Sequence, residues 1–253
     1  MEKITIHLSG TNCYLVKNGN HYLLIDTGYA EDWVLFQQQI RQAGVSLAEI
    51  SHILLTHHHD DHCGLLNRVI QENGNIQVVM SCHAKDLLTK GENDRTRGGG
   101  MINHWIQRLW VFKQLYLSIK LGQWVDKKNN LKFPPYLVRE NDILLAQDTR
   151  LQELGIALGG AIIATPGHTI DSISILLDDG DAFVGDAAAN FLQFAGTHYC
   201  VVFVTDLAEY YQSWEKILSR HARMILPAHG EPFAAEKLAQ NLGKNRVQDL
   251  VLI

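Results

Sequence analysis

The side chains best suited to chemistry are histidines and aspartates crowded into the run Thr56–His62, which has the sequence THHHDDH. Imidazole and carboxylate groups are the ligand types that zinc, iron and manganese accept in proteins. His57 and His59 are two positions apart, so in an extended or tightly turned loop they can point to one side. Asp61 and His62 can then face elsewhere, towards a second ion. The run therefore predicts a metal site.

Three more residues of the same types lie far along the chain, each after a short apolar run that predicts a strand. They are His168, Asp186 and His229. Sites are commonly built where strands end, because a rigid sheet can aim several loops at one place. The seven candidate ligands exceed the needs of one tetrahedral ion. Two ions roughly 3.5–4 Å apart, with one bridging carboxylate, would use them all.

Other residues near these candidates have simpler interpretations. The Thr56–His62 run taken alone could be a solvated histidine-rich loop. His58 and Asp60 fall between ligands, so we expect them to support the ligands or to face solvent. Asp26 can cap a turn, and Cys63 is predicted to be a packed neighbour and not a nucleophile.

Short apolar runs and helical periodicities predict the elements that must position these ligands. Strands are predicted at residues 4–8, 13–16, 21–25, 53–55, 76–80, 143–145, 151–154, 161–164, 172–177, 182–184 and 224–226. Helices are predicted at residues 31–43, 65–72, 84–90, 101–121, 207–220 and 234–242. Strands and helices alternate in both halves of the chain, which indicates an α/β architecture.

The segment at about 91–140 differs from its surroundings, because it contains nine Lys/Arg and four Asp/Glu in a chain of net charge −5. It begins with a polar, glycine-rich stretch and continues with an apolar helical stripe. One hypothesis is a helical hairpin that packs on the main body or forms a homodimer. A second is a lid whose basic residues attract an anionic substrate and whose tryptophans, Trp105, Trp110 and Trp124, supply apolar contacts. A third is docking on a membrane surface.

Composition limits the function classes further. A chain of 253 residues with 46% hydrophobic residues can bury a substantial core. We expect neither a secretory signal nor a transmembrane segment, because no suitable apolar stretch is present. The four cysteines show no CxxC spacing, which favours reduced thiols and a cytoplasmic location. The acidic main body makes nucleic acid an improbable partner.

The order of the candidate ligands resembles that of a known family. The pattern Thr56-His57-x-His59-x-Asp61-His62-x-Gly64 is similar to the HxHxDH signature of the metallo-β-lactamase superfamily. The later family stations correspond to Pro166-Gly167-His168, Gly185-Asp186 and Ala228-His229-Gly230, and Ile25-Asp26-Thr27-Gly28 resembles an early strand and turn. The resemblance covers about residues 1–90 and 141–235.

This resemblance implies a four-layer αββα sandwich with a metal site at one edge of its two sheets. We expect one domain over residues 1–253, carrying a basic, tryptophan-containing and largely helical insertion at about 91–140.

The resemblance also implies two divalent metal ions, with zinc as first choice and iron or manganese as alternatives. One ion would be held by His57, His59 and His168. The other would be held by Asp61, His62 and His229, and Asp186 would bridge the two. The implied nucleophile is a hydroxide between the ions, which Asp61 would orient as the catalytic residue.

Two departures from family patterns narrow the activity. Asp186 stands where many true metallo-β-lactamases have cysteine, so antibiotic hydrolysis is not expected. His59 stands where the oxygen-reducing di-iron branch has glutamate, so a redox role is not expected. The remaining pattern is similar to glyoxalase II and lactonases, although only 24 residues follow His229, too few for the helical substrate domain of glyoxalase II.

The sequence therefore predicts a metal-dependent hydrolase that acts on a small-molecule ester, thioester or lactone. A phosphodiesterase or nuclease is an alternative, since similar sites cleave phosphate esters. A sensor that binds metals without catalysis is another.

Overall fold

Strands and helices alternate along both halves of the chain in the computed structural model, which describes residues 2–94, 96–111, 131–243 and 246–252. The strands are β1 Lys3–His7, β2 Asn12–Asn18, β3 His21–Ile25, β4 Ile50–Leu54, β5 Gln77–Ser81, β6 Gly100–Met101, β7 Ile143–Leu145, β8 Thr149–Arg150, β9 Gly160–Ala164, β10 Ile173–Leu177, β11 Asp181–Gly185, β12 Phe203–Val204, β13 Met224–Pro227, β14 Phe233–Ala234 and β15 Val251–Leu252. The helices are α1 Trp33–Gln42, α2 Asp60–Cys63, α3 Leu66–Glu72, α4 Ala84–Lys90, α5 with residues 104–111 described, α6 Leu207–Ser219 and α7 Glu236–Leu242.

The strands form two large sheets and one small one. The first large sheet has the order β1-β2-β3-β4-β5-β7, in which β3, β4, β5 and β7 are parallel. The second has the order β14-β13-β11-β10-β9-β8, in which only the β11–β13 pair is parallel. The small sheet, β12-β6-β15, joins the start of the predicted insertion to the C-terminal residues.

Alternation along β2 shows how the layers are built. Cys13 and Leu15 belong to a core that also contains the buried side chains of α1, whereas Tyr14 and Val16 belong to a core shared with the second sheet. Successive side chains of a strand point to opposite faces, so one strand serves both cores. The Tyr14 ring meets Phe183 of β11 edge-on, with ring centroids 5.0 Å apart. The two large sheets therefore pack face to face.

Helices cover the outer face of each large sheet. On the first sheet, α1 buries Trp33, Phe36 and Ile40, which stand at helical spacing. On the second sheet, α6 buries Tyr210, Tyr211, Trp214 and Ile217 in a core with residues of β11 and β13. The layer order is thus α, β, β, α, as expected from the sequence.

At three places the type of element differs from the prediction. Leu151–Leu154 is a 3₁₀ helix and not a strand, because the backbone turns to bury Leu151 and ends at Gly155 in the left-handed conformation. The helix expected from residue 101 begins at residue 104, after the short strand β6. Residues 233–234, expected to lie partly in the last helix, form strand β14.

The ends of the predicted insertion join the body of the protein. The N–H of Phe133 donates to the carbonyl of Gly91 at 3.0 Å, and that of Tyr136 donates to Leu88 at 3.0 Å. Both aromatic side chains are buried in the core beneath α1. Residues 112–130, which include Trp124 and the second half of the predicted helix, lie outside the described residues. Within the described part of the chain, no helix has the length and apolarity needed to cross a membrane.

Candidate metal centre

The ends of four strands bring the candidate ligands together. β4 ends at Leu54, β9 at Ala164, β11 at Gly185 and β13 at Pro227, and each candidate follows within a few residues. Backbone hydrogen bonds hold these loops together, one between the two large sheets and one within the second sheet. Ile173 donates to the carbonyl of Thr56 at 2.9 Å, and Ala228 donates to that of Gly185 at 3.1 Å. The sequence-based expectation that these loops meet is therefore met by the described structure.

The first group of candidate ligands is His57, His59 and His168, whose ligand atoms all lie within 4.8 Å of one another. His168 Nε2 lies 3.0 Å from His59 Nδ1. His57 Nε2 is buried and has no hydrogen-bond partner in the described structure. The ring nitrogens of these three histidines thus lie close enough together to hold one divalent cation.

The second group is Asp61, His62 and His229, also with ligand atoms within 4.8 Å of one another. Asp61 Oδ2 lies 3.6 Å from His62 Nε2 and 3.2 Å from His229 Nε2. His62 Nε2 is the other ring nitrogen in the site that is buried without a hydrogen-bond partner among the described residues. Thr11 Oγ1 donates to Asp61 Oδ2 at 3.2 Å and so fixes the carboxylate.

Asp186 lies between the two groups. Its Oδ2 is 3.3 Å from His168 Nε2 of the first group. Its Oδ1 is 3.2 Å from His229 Nε2 and 3.5 Å from His62 Nε2 of the second group. One carboxylate oxygen therefore faces each group, which is the geometry of a bridging ligand.

Backbone carbonyls hold the outward ring nitrogens of two candidate ligands. His168 Nδ1 donates to the carbonyl of Phe203 at 2.9 Å, and His229 Nδ1 donates to that of Gly10 at 2.7 Å. A carbonyl can only accept, so both rings carry a proton on Nδ1 and direct Nε2 into the site. Such partners fix the tautomer and orientation of metal-binding histidines.

The corresponding partner of His62 is Asp26, for which the sequence indicated no catalytic role. Asp26 Oδ2 accepts from His62 Nδ1 at 2.8 Å. The carboxylate also accepts from the Thr56 N–H and from Thr56 Oγ1, both at 2.8 Å. Asp26 is buried with φ of +60°, an unusual conformation for a residue other than glycine. The polar residue directly after the apolar strand β3 was the available signal.

Two glycines allow the loops to approach so closely. A Cβ at Gly185, whose φ is +51°, would lie 2.5 Å from Thr56 Oγ1. A Cβ at Gly167, whose φ is +123°, would lie 2.3 Å from the backbone nitrogen of Tyr210. Both distances are shorter than van der Waals contact. The residues directly before Asp186 and His168 must therefore be glycine for the loops to pack in this way.

The two groups differ in electrostatics. Burial, together with the neighbouring imidazoles, lowers the pKa of His57 and His59 well below the usual value, so these rings are neutral. Burial also acts to lower the pKa of His62 and His229, but the Asp61 and Asp186 carboxylates outweigh it and raise the pKa of both. The carboxylates therefore create a buried field that favours positive charge.

The residues between the ligands face away from the two groups. His58 and Asp60 are buried, and they bind Asp171 and Asn93 respectively. The sequence had left these two residues open between supporting the ligands and facing solvent. We call residues 56–62 the metal loop.

The chemistry and burial of the site residues suit divalent cations. The donor set is five imidazoles and two carboxylates, and two of its ring nitrogens are buried without a hydrogen-bond partner among the described residues. Nitrogen and oxygen donors of this kind suit zinc, iron and manganese.

Comparison with known proteins gives an independent result. A family model described as the metallo-beta-lactamase superfamily matches residues 8–229. "Beta-lactamase-like protein 2 homolog" of Drosophila melanogaster is 29% identical over 227 residues, which are 88% of this chain and 59% of that protein. "Thioesterase pkgB" of Emericella nidulans is 36% identical over 100 residues, which are 37% of this chain and 28% of that protein. The chain thus spans well under two thirds of these relatives.

A solved structure shows the same fold. The subclass B3 metallo-beta-lactamase of Bradyrhizobium japonicum superposes with a TM-score of 0.62, over 96% of this chain and 89% of that chain. Its sequence identity is 18%. The likeness confirms the αββα sandwich expected from the sequence.

Proposed function

The chain belongs to the metallo-beta-lactamase superfamily, and on this premise we propose that it is a hydrolase that uses two divalent metal ions to cleave an ester, thioester or lactone. One observation carries the proposal. Two groups of three ligand atoms lie side by side, and the two oxygens of Asp186 face one group each.

We assign the residues as the two groups indicate. His57, His59 and His168 would hold one ion, and Asp61, His62 and His229 would hold the other. Asp186 would contact both. When bound, such ions polarise a carbonyl group and lower the pKa of water to about 7, which supplies a nucleophile at neutral pH.

The chain's own residues orient the reactants. Asp61 Oδ2 faces the second group, and Thr11 holds it from the other side. A carboxylate fixed in this way can accept a hydrogen bond from a water molecule. That hydrogen bond would aim a lone pair of the water oxygen at the scissile carbonyl carbon. Three histidine rings of the site are held from behind by hydrogen bonds to Asp26, Gly10 and Phe203. These bonds keep the rings from rotating during the reaction. The site is thereby organised before the substrate arrives.

Thioesters are the first substrate class that we assign. The support is the similarity to relatives that are named as thioesterases. "Thioesterase pkgB" is one of them, and it matches 37% of this chain. A relative of Aspergillus fumigatus named "Atrochrysone carboxyl ACP thioesterase" is 50% identical over 58 residues, 22% of this chain and 13% of that protein. Zinc is the first metal to test, with iron and manganese next.

The test is reconstitution followed by a substrate panel. The chelated protein is loaded with zinc, iron(II) or manganese(II) and offered an acyl thioester, a lactone, a p-nitrophenyl ester and a p-nitrophenyl phosphodiester. We expect turnover of the thioester or another carboxyl ester. His59→Ala should abolish this activity and reduce metal content, whereas His21→Ala, at an exposed histidine outside the site, should change neither.

Other outcomes would replace the proposal. Cleavage of the phosphodiester alone would indicate a phosphodiesterase. Metal binding without turnover of any panel member would favour a sensor. Full activity in His59→Ala would contradict the ligand assignment.

A further inference from the structure

The metal loop has a second face, which binds the first residues of the predicted insertion. Asp60 N–H donates to Asn93 Oδ1 at 2.9 Å, and Asn93 Nδ2 donates back to Asp60 Oδ1 at 2.8 Å. The next residue, Asp94, donates its backbone N–H to His58 Nε2 at 3.0 Å. Two alternate residues of the loop thus bind two consecutive residues of the segment.

The contact at His58 is buried and fully defined. Since the Asp94 N–H donates to Nε2, the ring proton must be on Nδ1. Nδ1 then donates to Asp171 Oδ1 at 2.8 Å. The exposed fractions of the two side chains are 1% for His58 and 0% for Asp171. Asp171 follows the candidate ligand His168 by three residues, so His58 also joins the metal loop to the loop of a second ligand.

The contacts of His58 and Asp60 lie between candidate metal ligands. His58 and Asp60 alternate with His57, His59 and Asp61, whose side chains lie in the two ligand groups. His59 has an extended backbone conformation and Asp60 begins helix α2. Because adjacent residues share one backbone, a hydrogen bond that fixes His58 or Asp60 also limits the directions open to the side chains on either side. The hydrogen bonds of His58 and Asp60 therefore set the direction of the ligands on either side of them.

We propose that His58 and Asp60 are positioning residues that clamp the metal loop to residues 93–94, so that the ligand geometry and the position of the insertion's first residues depend on each other. This inference rests on the proposed function for the identity of the ligands. The clamp has a task separate from the chemistry. It fixes the position of the insertion's first residues relative to the candidate ligands.

The experiment uses the full chain with Co²⁺ as the probe. Two quantities are measured: Co²⁺ affinity from the visible absorption spectrum, and hydrogen exchange at the Asp94 amide with and without Co²⁺. In the wild type we expect Co²⁺ to slow exchange at Asp94, because the bound ion restrains the loop that accepts its hydrogen bond.

The main variant is His58→Phe, which keeps a ring but removes both hydrogen bonds. We expect exchange at Asp94 to become about fivefold to tenfold faster and independent of Co²⁺. Co²⁺ affinity should fall by about 10- to 100-fold, the usual range for groups that orient metal ligands. His58→Gln, whose amide offers a donor and an acceptor, should recover part of both effects. His21→Phe, at an exposed histidine, should match the wild type.

A second variant guards against misfolding of His58→Phe. Asn93 is only half-buried, so Asn93→Ala should fold normally, as circular dichroism can verify. We expect faster exchange at Asp94 and Co²⁺ affinity about threefold or more weaker, because one side of the clamp is lost.

The outcomes separate the clamp from the proposed function. Wild-type Co²⁺ affinity and wild-type exchange at Asp94 in folded His58→Phe or Asn93→Ala would overturn the clamp and leave the metal site intact. If the wild type fails to bind Co²⁺, the proposed function falls, and exchange in the metal-free proteins decides the clamp. Equal exchange in wild type and variants would then overturn it, and faster exchange in the variants would support it.

Discussion

Asp26→Asn tests whether the carboxylate behind His62 sets the properties of the second metal position. The substitution keeps the shape of the side chain but replaces one oxygen by an NH₂ group. Asp26 Oδ1 accepts from the Thr56 N–H, which cannot reverse its role. The amide oxygen will therefore stay there, and the NH₂ group will face His62 Nδ1 in place of Oδ2.

The altered contact changes the tautomer of His62. An NH₂ group can only donate, so Nδ1 must accept, and the neutral ring then carries its proton on Nε2. Nε2 is the atom that faces Asp61 and Asp186. Metal binding then requires loss of a hydrogen bond to a charged group, worth about 1.5–3 kcal/mol. At 1.4 kcal/mol per factor of ten, affinity at the second position should fall about 10- to 150-fold.

The assay is competition against a chromophoric chelator, fitted with two binding constants. We expect one constant to fall as stated and the other to change little, because His57, His59 and His168 do not contact Asp26 among the bonds described. Asp142→Asn is the matched control. It also removes a carboxylate that pairs with a basic side chain, Arg139 at 2.7 Å, but contacts no candidate ligand. A change below about threefold in folded Asp26→Asn would refute the tautomer argument.

Three further predictions concern the bridging residue, a glycine and the thiols. Asp186→Ala should reduce tightly bound metal from two equivalents to one, measured by elemental analysis after dialysis, because no other carboxylate in the described structure faces both groups. Gly185→Ala should lower the free energy of unfolding by about 2–4 kcal/mol in denaturant titrations, because the new Cβ would meet Thr56 Oγ1 at positive φ. At pH 8, Cys82 should be the thiol that reacts first with a disulfide reagent, because burial raises the pKa of the other three and it alone is half-buried.

A different outcome would contradict each of these three predictions. Two tight equivalents in Asp186→Ala would show that this residue does not bridge. Wild-type stability in Gly185→Ala would mean that the loops have room for a side chain. Fast reaction of all four thiols in the folded protein would show that the buried cysteines open readily to solvent.

The sequence predicted those features that depend on short stretches of chain. The stripe Trp33, Phe36 and Ile40 specified which face of α1 is buried, because its spacing matches one helical side. The apolar runs before His168 and Asp186 located the ends of β9 and β11, because the proline or glycine and the polar side chains that follow each run interrupt a strand. These local signals, together with the resemblance to a known family, indicated that the candidate ligands would lie close together.

Features that depend on distant contacts were not predictable. His58 and Asp171 are separated by 113 residues, and nothing near either one indicates that the two side chains meet in the interior. The sequence did not show which histidine Asp26 would contact, and the structure places it behind His62. Leu151–Leu154 was predicted to be a strand, but its backbone turns because tertiary packing buries Leu151. In all three cases the deciding partner lies on another segment.

The two faces of the metal loop link the candidate ligands to the residues that begin the predicted insertion. Five consecutive residues, 57–61, alternate between the metal groups and the residues that begin the insertion. A change in the insertion that shifts Asn93 or Asp94 must therefore either break buried hydrogen bonds or move the loop that carries the ligands. Positions 58 and 60 are consequently not free spacers in the HxHxD pattern, since their side chains bind the residues that begin the insertion and hold them beside the two ligand groups.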